Sequence, residues 1–148
     1  MDINHPFITA SPQETARIGQ EFGNYVREKG SHVVCLYGDL GSGKTTFVQG
    51  VGKALGIGSR LLSPTFFIVR RYTIPQSIGF LYHIDLYRIA DEKELTDLGI
   101  PEILRDPDSI VCFEWAEKLG RLLPKERIDV RLSVLKDGKH HVSICKTS

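Results

Sequence analysis

Eight consecutive residues carry the most specific chemical pattern in this sequence. Gly38 to Thr45 read G-D-L-G-S-G-K-T and fit the phosphate-binding pattern G-x-x-x-x-G-K-[ST]. Glycines let such a loop wrap closely around phosphate oxygens, because they lack a side chain and accept positive φ. Lys44 is then expected to reach the β- and γ-phosphates, and the Thr45 hydroxyl to bind Mg²⁺. The pattern predicts a site for a nucleoside triphosphate with Mg²⁺.

The residues on either side of the loop predict the elements that position it. The apolar run Val33–Tyr37 precedes the loop and is typical of a buried strand. Apolar residues follow at helical spacing from Phe47 to Leu55, and Gly56 is a stop signal. A strand, a glycine loop and a helix are the arrangement in which this pattern binds phosphate. The helix start adds free N–H groups and the positive end of a dipole.

Two acidic residues stand at the ends of apolar segments. Asp85 follows Phe80–Ile84, and Glu114 follows Ile110–Phe113. P-loop enzymes need a further acid near the metal, and the carboxyl ends of strands form the ligand-binding edge of open α/β sheets. The alternative is that both are solvated acids at strand ends. The sequence leaves open which of the two contacts Mg²⁺ and whether Asp39, Asp85 or Glu114 is the general base.

Three further features near these acids each allow two interpretations. Arg88 could hold Asp85 or meet a phosphate, or form an ordinary surface ion pair. Trp115 could pack in the core or stack near the nucleotide. Ser63–Thr65 follows the P-loop helix where other P-loop proteins carry a mobile switch segment, and its alternative is a plain turn.

The N-terminal segment predicts a strand and then a helix. Phe7–Thr9 suits a short strand, and Ser11-Pro12-Gln13-Glu14 is typical of a helix start with a capping box. Apolar residues at helical spacing follow, and Gly30 ends the pattern. The segments Thr65–Thr73 and Phe80–Tyr87 are joined by a short turn, which predicts antiparallel neighbours.

The C-terminal part predicts two short helices and a hairpin. Asp91–Leu98 suits a helix with Leu95 and Leu98 facing inward, and Pro101 begins a second one. Ile128–Leu135 alternates, with Val134 on the apolar face. A D-G turn that includes Gly138 then leads into a final strand.

Composition indicates an ordinary globular chain. The 148 residues include 19 basic and 18 acidic ones, so a net charge of +1 gives no overall argument for a nucleic-acid or membrane binder. No apolar run approaches the ~20 residues of a membrane helix, and the N-terminus lacks a signal-peptide pattern. We therefore expect a cytoplasmic protein. Its cysteines, Cys35, Cys112 and Cys145, are expected to be free buried thiols, because they show no disulfide or zinc spacing.

The only indication of the nucleotide base is the absence of a guanine-specific motif. GTPases use a separate N-K-x-D element for guanine, and the asparagines of this chain are Asn4 and Asn24 alone, which favours adenine. A small-molecule kinase using the same P-loop is the alternative function, although no dense arginine lid is visible. An interaction module with a vestigial P-loop is a third. The five histidines show no ligand spacing and are interpreted as structural or exposed.

Several segments together resemble the bacterial TsaE (YjeE) family, the ATPase component of tRNA threonylcarbamoyladenosine (t6A) synthesis. Their order and spacing cover most of the chain. The matching segments are Tyr37–Phe47, Ser63–Phe66, His83–Arg88, Glu94-Leu95 with Leu98–Ile100, and Glu114-Trp115.

This resemblance implies an α/β fold, P-loop NTPase-like and three-layered, with a mixed parallel/antiparallel sheet and a C-terminal β-hairpin. Residues 1–148 would form a single P-loop ATPase domain. The implied partners are TsaD and TsaB, which transfer the threonylcarbamoyl group, so tRNA is met only through the complex. The implied activity is weak, partner-dependent ATP hydrolysis that drives or resets the complex, without the transfer itself.

The resemblance also implies site residues, carried over by position. Lys44, Asp85 and Glu114 would be catalytic, and Thr45, Glu114 and Asp85 would hold Mg²⁺. The residues expected to bind ATP are Leu40, Gly41, Ser42, Gly43, Lys44, Thr45, Thr46 and Trp115, with Ser11 and Gly138 approaching the nucleotide from the two ends of the chain.

Overall fold

The computed structural model describes residues 1–57 and 67–148. In this part of the chain, a seven-stranded sheet carries helices on both faces. The strands are β1 (Phe7–Thr9), β2 (Val33–Tyr37), β3 (Val69–Thr73), β4 (Phe80–Asp85), β5 (Ile110–Glu114), β6 (Arg127–Val134) and β7 (His140–Thr147). The helices are α1 (Pro12–Lys29), α2 (Lys44–Ala54), α3 (Glu92–Asp97) and α4 (Ile100–Leu104), with a 3₁₀ segment over Ala116–Leu122.

The sheet is mixed, in the order β1-β7-β6-β2-β5-β4-β3. Its four central strands, β6, β2, β5 and β4, are parallel, whereas β7 and β3 run antiparallel to their neighbours. The pairing of β3 with β4 and the C-terminal hairpin of β6 with β7 were both predicted from sequence, and both are confirmed. Parallel pairing aligns the carboxyl ends of β2, β4 and β5 at one edge, where the P-loop and the two acids lie.

Alternation along the central strands divides the core into two layers. Val34 and Leu36 of β2 join the layer under α1 and α2, whereas Val33 and Cys35 join the layer under α3, α4 and the 3₁₀ segment. Successive side chains of a strand point to opposite faces, so a strand buried on both faces is apolar throughout. The predicted three-layer α/β fold is confirmed.

The helix-end signals of the sequence operate as predicted. Ser11 caps α1 by accepting the Glu14 N–H at 3.2 Å, and Gly30 ends the helix at φ 67°. The Glu14 carboxylate accepts the N–H of Ala10 at 2.5 Å, so the capping box is displaced by one residue. After α2, Gly56 has φ 78° and Ile57 donates its N–H to the Gly52 carbonyl, which is the Schellman arrangement.

Three expectations about individual residues, and one about where a strand begins, differ from the structure. Leu98 is 36% exposed, because α3 ends just before it and the chain turns at Gly99. Val134 is 54% exposed, because it lies at the hairpin end beyond the helices that cover the sheet. Cys145 is exposed, since the neighbouring Ile144 takes the inward face of β7. The segment predicted from Thr65 begins as a strand at Val69, and its first two residues lie outside the described part of the chain.

The 3₁₀ segment Ala116–Leu122 was not predicted at all. Within residues 1–57 and 67–148, none of the helices combines the length and apolar character needed to cross a membrane.

Close packing of α1 on α2 depends on glycine. A Cβ atom at Gly50 of α2 would lie 2.0 Å from the Ala16 carbonyl oxygen, and one at Gly19 of α1 would lie 2.1 Å from the Phe47 carbonyl oxygen. Both neighbours are backbone atoms, which cannot rotate away. The two helices therefore touch through their backbones, and α1 fixes the direction in which α2 leaves the P-loop.

We predict that Gly50→Ala destabilises the protein even though Ala is favoured over Gly in helices by about 1 kcal/mol. The methyl group must separate the helices, and overpacking of this kind usually costs about 1–3 kcal/mol. Urea denaturation of both proteins measures the difference. Lys53→Ala, on the exposed face of α2, is the control and should change stability by no more than about 0.5 kcal/mol. An unchanged or raised stability of Gly50→Ala would contradict the prediction.

A second prediction concerns thiol reactivity. Burial raises the pKa of Cys35 to about 12 and also raises the pKa of Cys112, so both stay protonated and shielded. In the folded protein at pH 8, one thiol per chain, Cys145, should react rapidly with Ellman's reagent, and all three should react in denaturant. Cys145→Ser should abolish the rapid phase. Rapid reaction of two or more thiols in the folded protein would refute this assignment.

Candidate functional site

The P-loop opens into a cleft of about 610 Å³ at the carboxyl edge of the parallel strands. Both terminal parts of the chain contribute to its walls, through α1 and through the start of β7. Most of the residues predicted from sequence lie along it: Leu40, Gly41, Gly43, Lys44, Thr45, Thr46, Asp85, Glu114 and Trp115. The structure therefore brings the glycine-rich loop and both strand-end acids to one cavity.

The backbone of the loop has a conformation that suits anion binding. Gly41 and Gly43 have φ of 79° and 106°, a region that residues with side chains rarely adopt. Gly43 occupies the position before α2, where no side chain of the described residues caps the helix. In this part of the chain, the first N–H groups of α2 therefore face the cleft without a side-chain partner, which is a favourable site for phosphate oxygens.

Lys44 places a cation in the middle of this loop. Its Nζ donates hydrogen bonds to the carbonyl oxygens of Gly38 and, at 2.9 Å, of Asp39. The same nitrogen lies 4.5 Å from the centroid of the Trp115 ring, within the range of a cation–π contact. Burial lowers the pKa of Lys44, and the nearby carboxylates of Glu114 and Asp85 act in the opposite direction.

A hydrogen bond between Thr45 and Glu114 links the loop to β5. The Thr45 hydroxyl lies 2.9 Å from Oε2 and 3.1 Å from Oε1 of Glu114, although 69 residues separate the two in sequence. Glu114 is only 4% exposed. A hydroxyl and a carboxylate held together at the foot of a phosphate loop are the kind of oxygen ligands that Mg²⁺ takes.

The composition of the site also limits what metal it suits. Among the described residues, no group of three or more His, Cys, Asp or Glu side chains is arranged to hold a metal ion. A cation here would need oxygen atoms from phosphate or water in addition to Thr45 and Glu114. Mg²⁺ is commonly held in that way, by one or two protein ligands together with substrate phosphates.

Asp85 lies beside Glu114 but has a different environment. The two residues are direct partners in the register of β4 with β5. Burial raises the pKa of Asp85, and the hydrogen bond that its carboxylate accepts from the Tyr87 N–H, at 3.0 Å, opposes this. Arg88 also lines the cleft, but within residues 1–57 and 67–148 it forms no ion pair, with Asp85 or with any other acid.

Trp115 follows Glu114 in an uncommon backbone conformation. Its φ is 58°, a value that is rare for a residue with a large side chain. The ring lies over Lys44, contacts Tyr87 at a centroid distance of 5.1 Å and lines the cleft. Trp115 also packs against the core layer under α3, α4 and the 3₁₀ segment, so its position is compatible with both interpretations made from sequence, and its contact with the nucleotide stays a prediction. Such strained residues often occur at functional sites.

Two histidines that sequence reasoning treated as structural or exposed belong to the site. His83 is fully buried, and its Nε2 lies 2.5 Å from Oε2 of Glu114. His140 lines the cleft, and its Nδ1 lies 2.7 Å from the Ser42 carbonyl oxygen. His83 had a usable signal, because it precedes Asp85 by two residues on a strand and must share its face. His140 had none, since it reaches the loop from 98 residues away.

Three predicted contact residues do not line the cleft. Pro12 and His140 line it in place of the nearby Ser11 and Gly138. Ser42 turns its side chain inward, where it is 1% exposed and its hydroxyl has no hydrogen-bond partner among the residues that the structure describes.

The segment Ser63–Phe66, with its proposed switch, lies outside the described residues.

Comparisons with known proteins show similarity to one family over most of the chain. The family model described as "Threonylcarbamoyl adenosine biosynthesis protein TsaE" matches residues 9–142. The tRNA threonylcarbamoyladenosine biosynthesis protein TsaE of Treponema pallidum (strain Nichols) is 36% identical over 137 residues, covering 93% of this chain and 97% of the relative. Its namesake in Bacillus subtilis (strain 168) is 36% identical over 135 residues, covering 91% and 81%.

A solved structure supports the fold independently. The crystal structure of Bacillus subtilis YdiB superposes with a TM-score of 0.79 at 28% sequence identity, covering 97% of this chain and 86% of that one.

The environment of Asp85 generates a prediction about pH. Because burial raises its folded-state pKa, the fold favours the neutral carboxyl. That stabilisation is present below the unfolded pKa, near 3.9, and is lost as pH rises through the folded value. Asp85→Asn keeps an acceptor for the Tyr87 N–H. Its stability relative to the unsubstituted protein should therefore be greater at pH 7 than at pH 3, measured by urea denaturation.

Asp106→Asn is the control of opposite sign. Hydrogen bonds from Ser109 and from the Asp108 N–H lower the pKa of Asp106. Asp106 therefore stabilises the folded state above its unfolded-state pKa, and this stabilisation is lost as pH falls through its folded-state pKa. The stability of Asp106→Asn relative to the unsubstituted protein should therefore be lower at pH 7 than at pH 3. The same pH trend in both variants would rule out the assigned environments.

Proposed function

This chain belongs to the TsaE family of threonylcarbamoyladenosine biosynthesis proteins, and we propose that it acts in that biosynthesis as a P-loop ATPase. The observation that carries the proposal is the contact of Thr45 with both carboxylate oxygens of Glu114. It joins the hydroxyl that ends the phosphate loop to a buried acid from a distant strand. A glycine turn with a purely structural role has no need of this pair.

Each group of the cleft has a distinct part in the proposed site. The N–H groups of the loop and of α2 bind phosphate oxygens, and Lys44 offsets their charge. Thr45 and Glu114 would hold Mg²⁺, with Asp85 as the adjacent second acid. Bound Mg²⁺ would supply further neutralisation of charge on the β- and γ-phosphates. Trp115 lies beside Lys44 and closes the wall of the cleft on that side.

The partners are proposed from the family. We infer that the chain works with TsaD and TsaB, and that tRNA is reached only through that complex. Its hydrolysis of ATP is slow and depends on the partners, and it drives or resets the complex between rounds of threonylcarbamoyl transfer. The transfer itself belongs to the partners. Because tRNA is the molecule finally modified, we place this activity in the cytoplasm.

Lys44→Ala tests the nucleotide site. Removing the one cation that the loop itself contributes should weaken ATP binding, measured by calorimetry, by about 100-fold or more, equivalent to about 2.7 kcal/mol. Lys53→Ala, an exposed lysine of the same helix, is the matched control and should bind ATP as the unsubstituted protein does. Near-normal affinity in Lys44→Ala would refute the site assignment.

The proposed role has its own experiment, which also separates it from the alternatives. Pulldown with purified TsaD and TsaB should show an association that depends on ATP, and the rate of ATP hydrolysis should change when both partners are added. A small-molecule kinase would instead transfer phosphate to a metabolite and would not bind either partner. A module with a vestigial loop would bind no ATP.

A further inference from the structure

We propose that His83 is a positioning residue for Glu114, and that its imidazole Nε2–H holds the carboxylate in the orientation used by Thr45 and a divalent cation. This inference rests on the proposed ATPase function and assigns a role to a residue outside the phosphate loop.

The sheet places His83 and Glu114 on the same face. Along β4, His83 and Asp85 are two residues apart, and along β5 the same holds for Cys112 and Glu114. His83 pairs in register with Cys112, and Asp85 pairs with Glu114. Cys112 belongs to the core layer under α1 and α2, so strand alternation directs all four side chains towards the layer that contains Thr45.

Within residues 1–57 and 67–148, the imidazole makes its polar contact with Glu114 alone. Nε2 lies 2.5 Å from Oε2, and because a carboxylate can only accept, Nε2 carries the proton in this contact. The other ring nitrogen, Nδ1, is buried and has no hydrogen-bond partner in the described part of the chain. A fully buried ring with a single polar contact is oriented by that contact, and it orients the carboxylate in return.

The distribution of donors over Glu114 shows what this contact does. Oε2 accepts from both His83 and the Thr45 hydroxyl, whereas among the described residues the contact at Oε1 is the longer one to Thr45, at 3.1 Å. Acceptor capacity therefore remains mainly at Oε1. A buried carboxylate with one donor fewer would be poorly solvated and free to rotate about its terminal torsion. Hydrogen-bonded neighbours of metal-binding carboxylates commonly affect metal affinity by 10- to 100-fold.

The experiment compares Mg²⁺ dependence with nucleotide binding in the full chain. Affinity for ATP is measured by calorimetry in EDTA and across a MgCl₂ titration. In His83→Ala, the affinity in EDTA should stay within about threefold of the unsubstituted protein, because the loop is intact. The Mg²⁺ concentration that gives half of the gain in ATP affinity should rise by about 10-fold or more. His83→Gln, whose side-chain amide can still donate, should recover part of this loss.

Leu81→Val is the matched control for a merely structural effect. Leu81 lies two residues before His83 on the same face of β4 and is fully buried in the same core layer. The variant should lower thermal stability while leaving the Mg²⁺ requirement unchanged. The positioning role would be overturned if Leu81→Val raised the required Mg²⁺ concentration as much as His83→Ala does. It would also be overturned if His83→Gln required as much Mg²⁺ as His83→Ala.

The two proposals can fail separately. If the unsubstituted protein gains no ATP affinity from Mg²⁺, the proposed function fails and this inference fails with it. If that gain is present but is the same in His83→Ala, only the inference fails.

A spectroscopic measurement does not depend on the stability of His83 variants. In protein labelled with ¹⁵N-histidine, the Nε2 proton of His83 should give a low-field resonance typical of a short hydrogen bond to a carboxylate. Glu114→Gln should shift this resonance to higher field. A resonance that Glu114→Gln leaves in place would refute the contact.

Discussion

The parallel pairing of β2 with β5 is the constraint on which the site depends. It aligns Leu36 with Glu114, so that the strand ending in the P-loop and the strand ending in the acid finish at the same level. Without this register, the Thr45 hydroxyl could not reach a carboxylate 69 residues away. Since successive side chains alternate between the two faces of a sheet, a shift of β5 by one residue would turn Glu114 to the face opposite Thr45. The pairing of these buried strands thus keeps Glu114 within reach of Thr45.

Around this pairing, other elements limit the movement of the loop. Backbone contact through Gly19 and Gly50 fixes α2 against α1, and the start of α1 contributes Pro12 and Thr15 to the cleft. From the opposite side, His140 of β7 contacts the Ser42 carbonyl oxygen. A phosphate loop held from both sides needs little ordering when a ligand binds, which reduces the entropic cost of association.

The sequence allowed the local features to be predicted and left the long-range ones undetermined. The loop, the two strand-end acids and the caps at Ser11 and Gly30 were visible because each depends on neighbours within a few residues. The contacts of His83 with Glu114 and of His140 with Ser42 depend on strand order, which no local pattern specifies. Ser11 and Gly138 do not line the cleft whereas the nearby Pro12 and His140 do, because long-range packing decides which residue of a segment faces a cavity. The proposed roles of the site residues remain predictions to be tested.

Lys44 donates two hydrogen bonds to its own loop, to the carbonyls of Gly38 and Asp39. These carbonyls therefore compete with any phosphate for the ammonium group. An anion that pairs with this ammonium group replaces bonds already formed, together with part of its contact with Trp115. The net free energy of binding is then the difference between two sets of partners. When the anion leaves, the carbonyls of Gly38 and Asp39 can accept hydrogen bonds from Lys44 again, so the ammonium group keeps hydrogen-bond partners in the cleft. The site is therefore suited to releasing its ligand as well as to binding it.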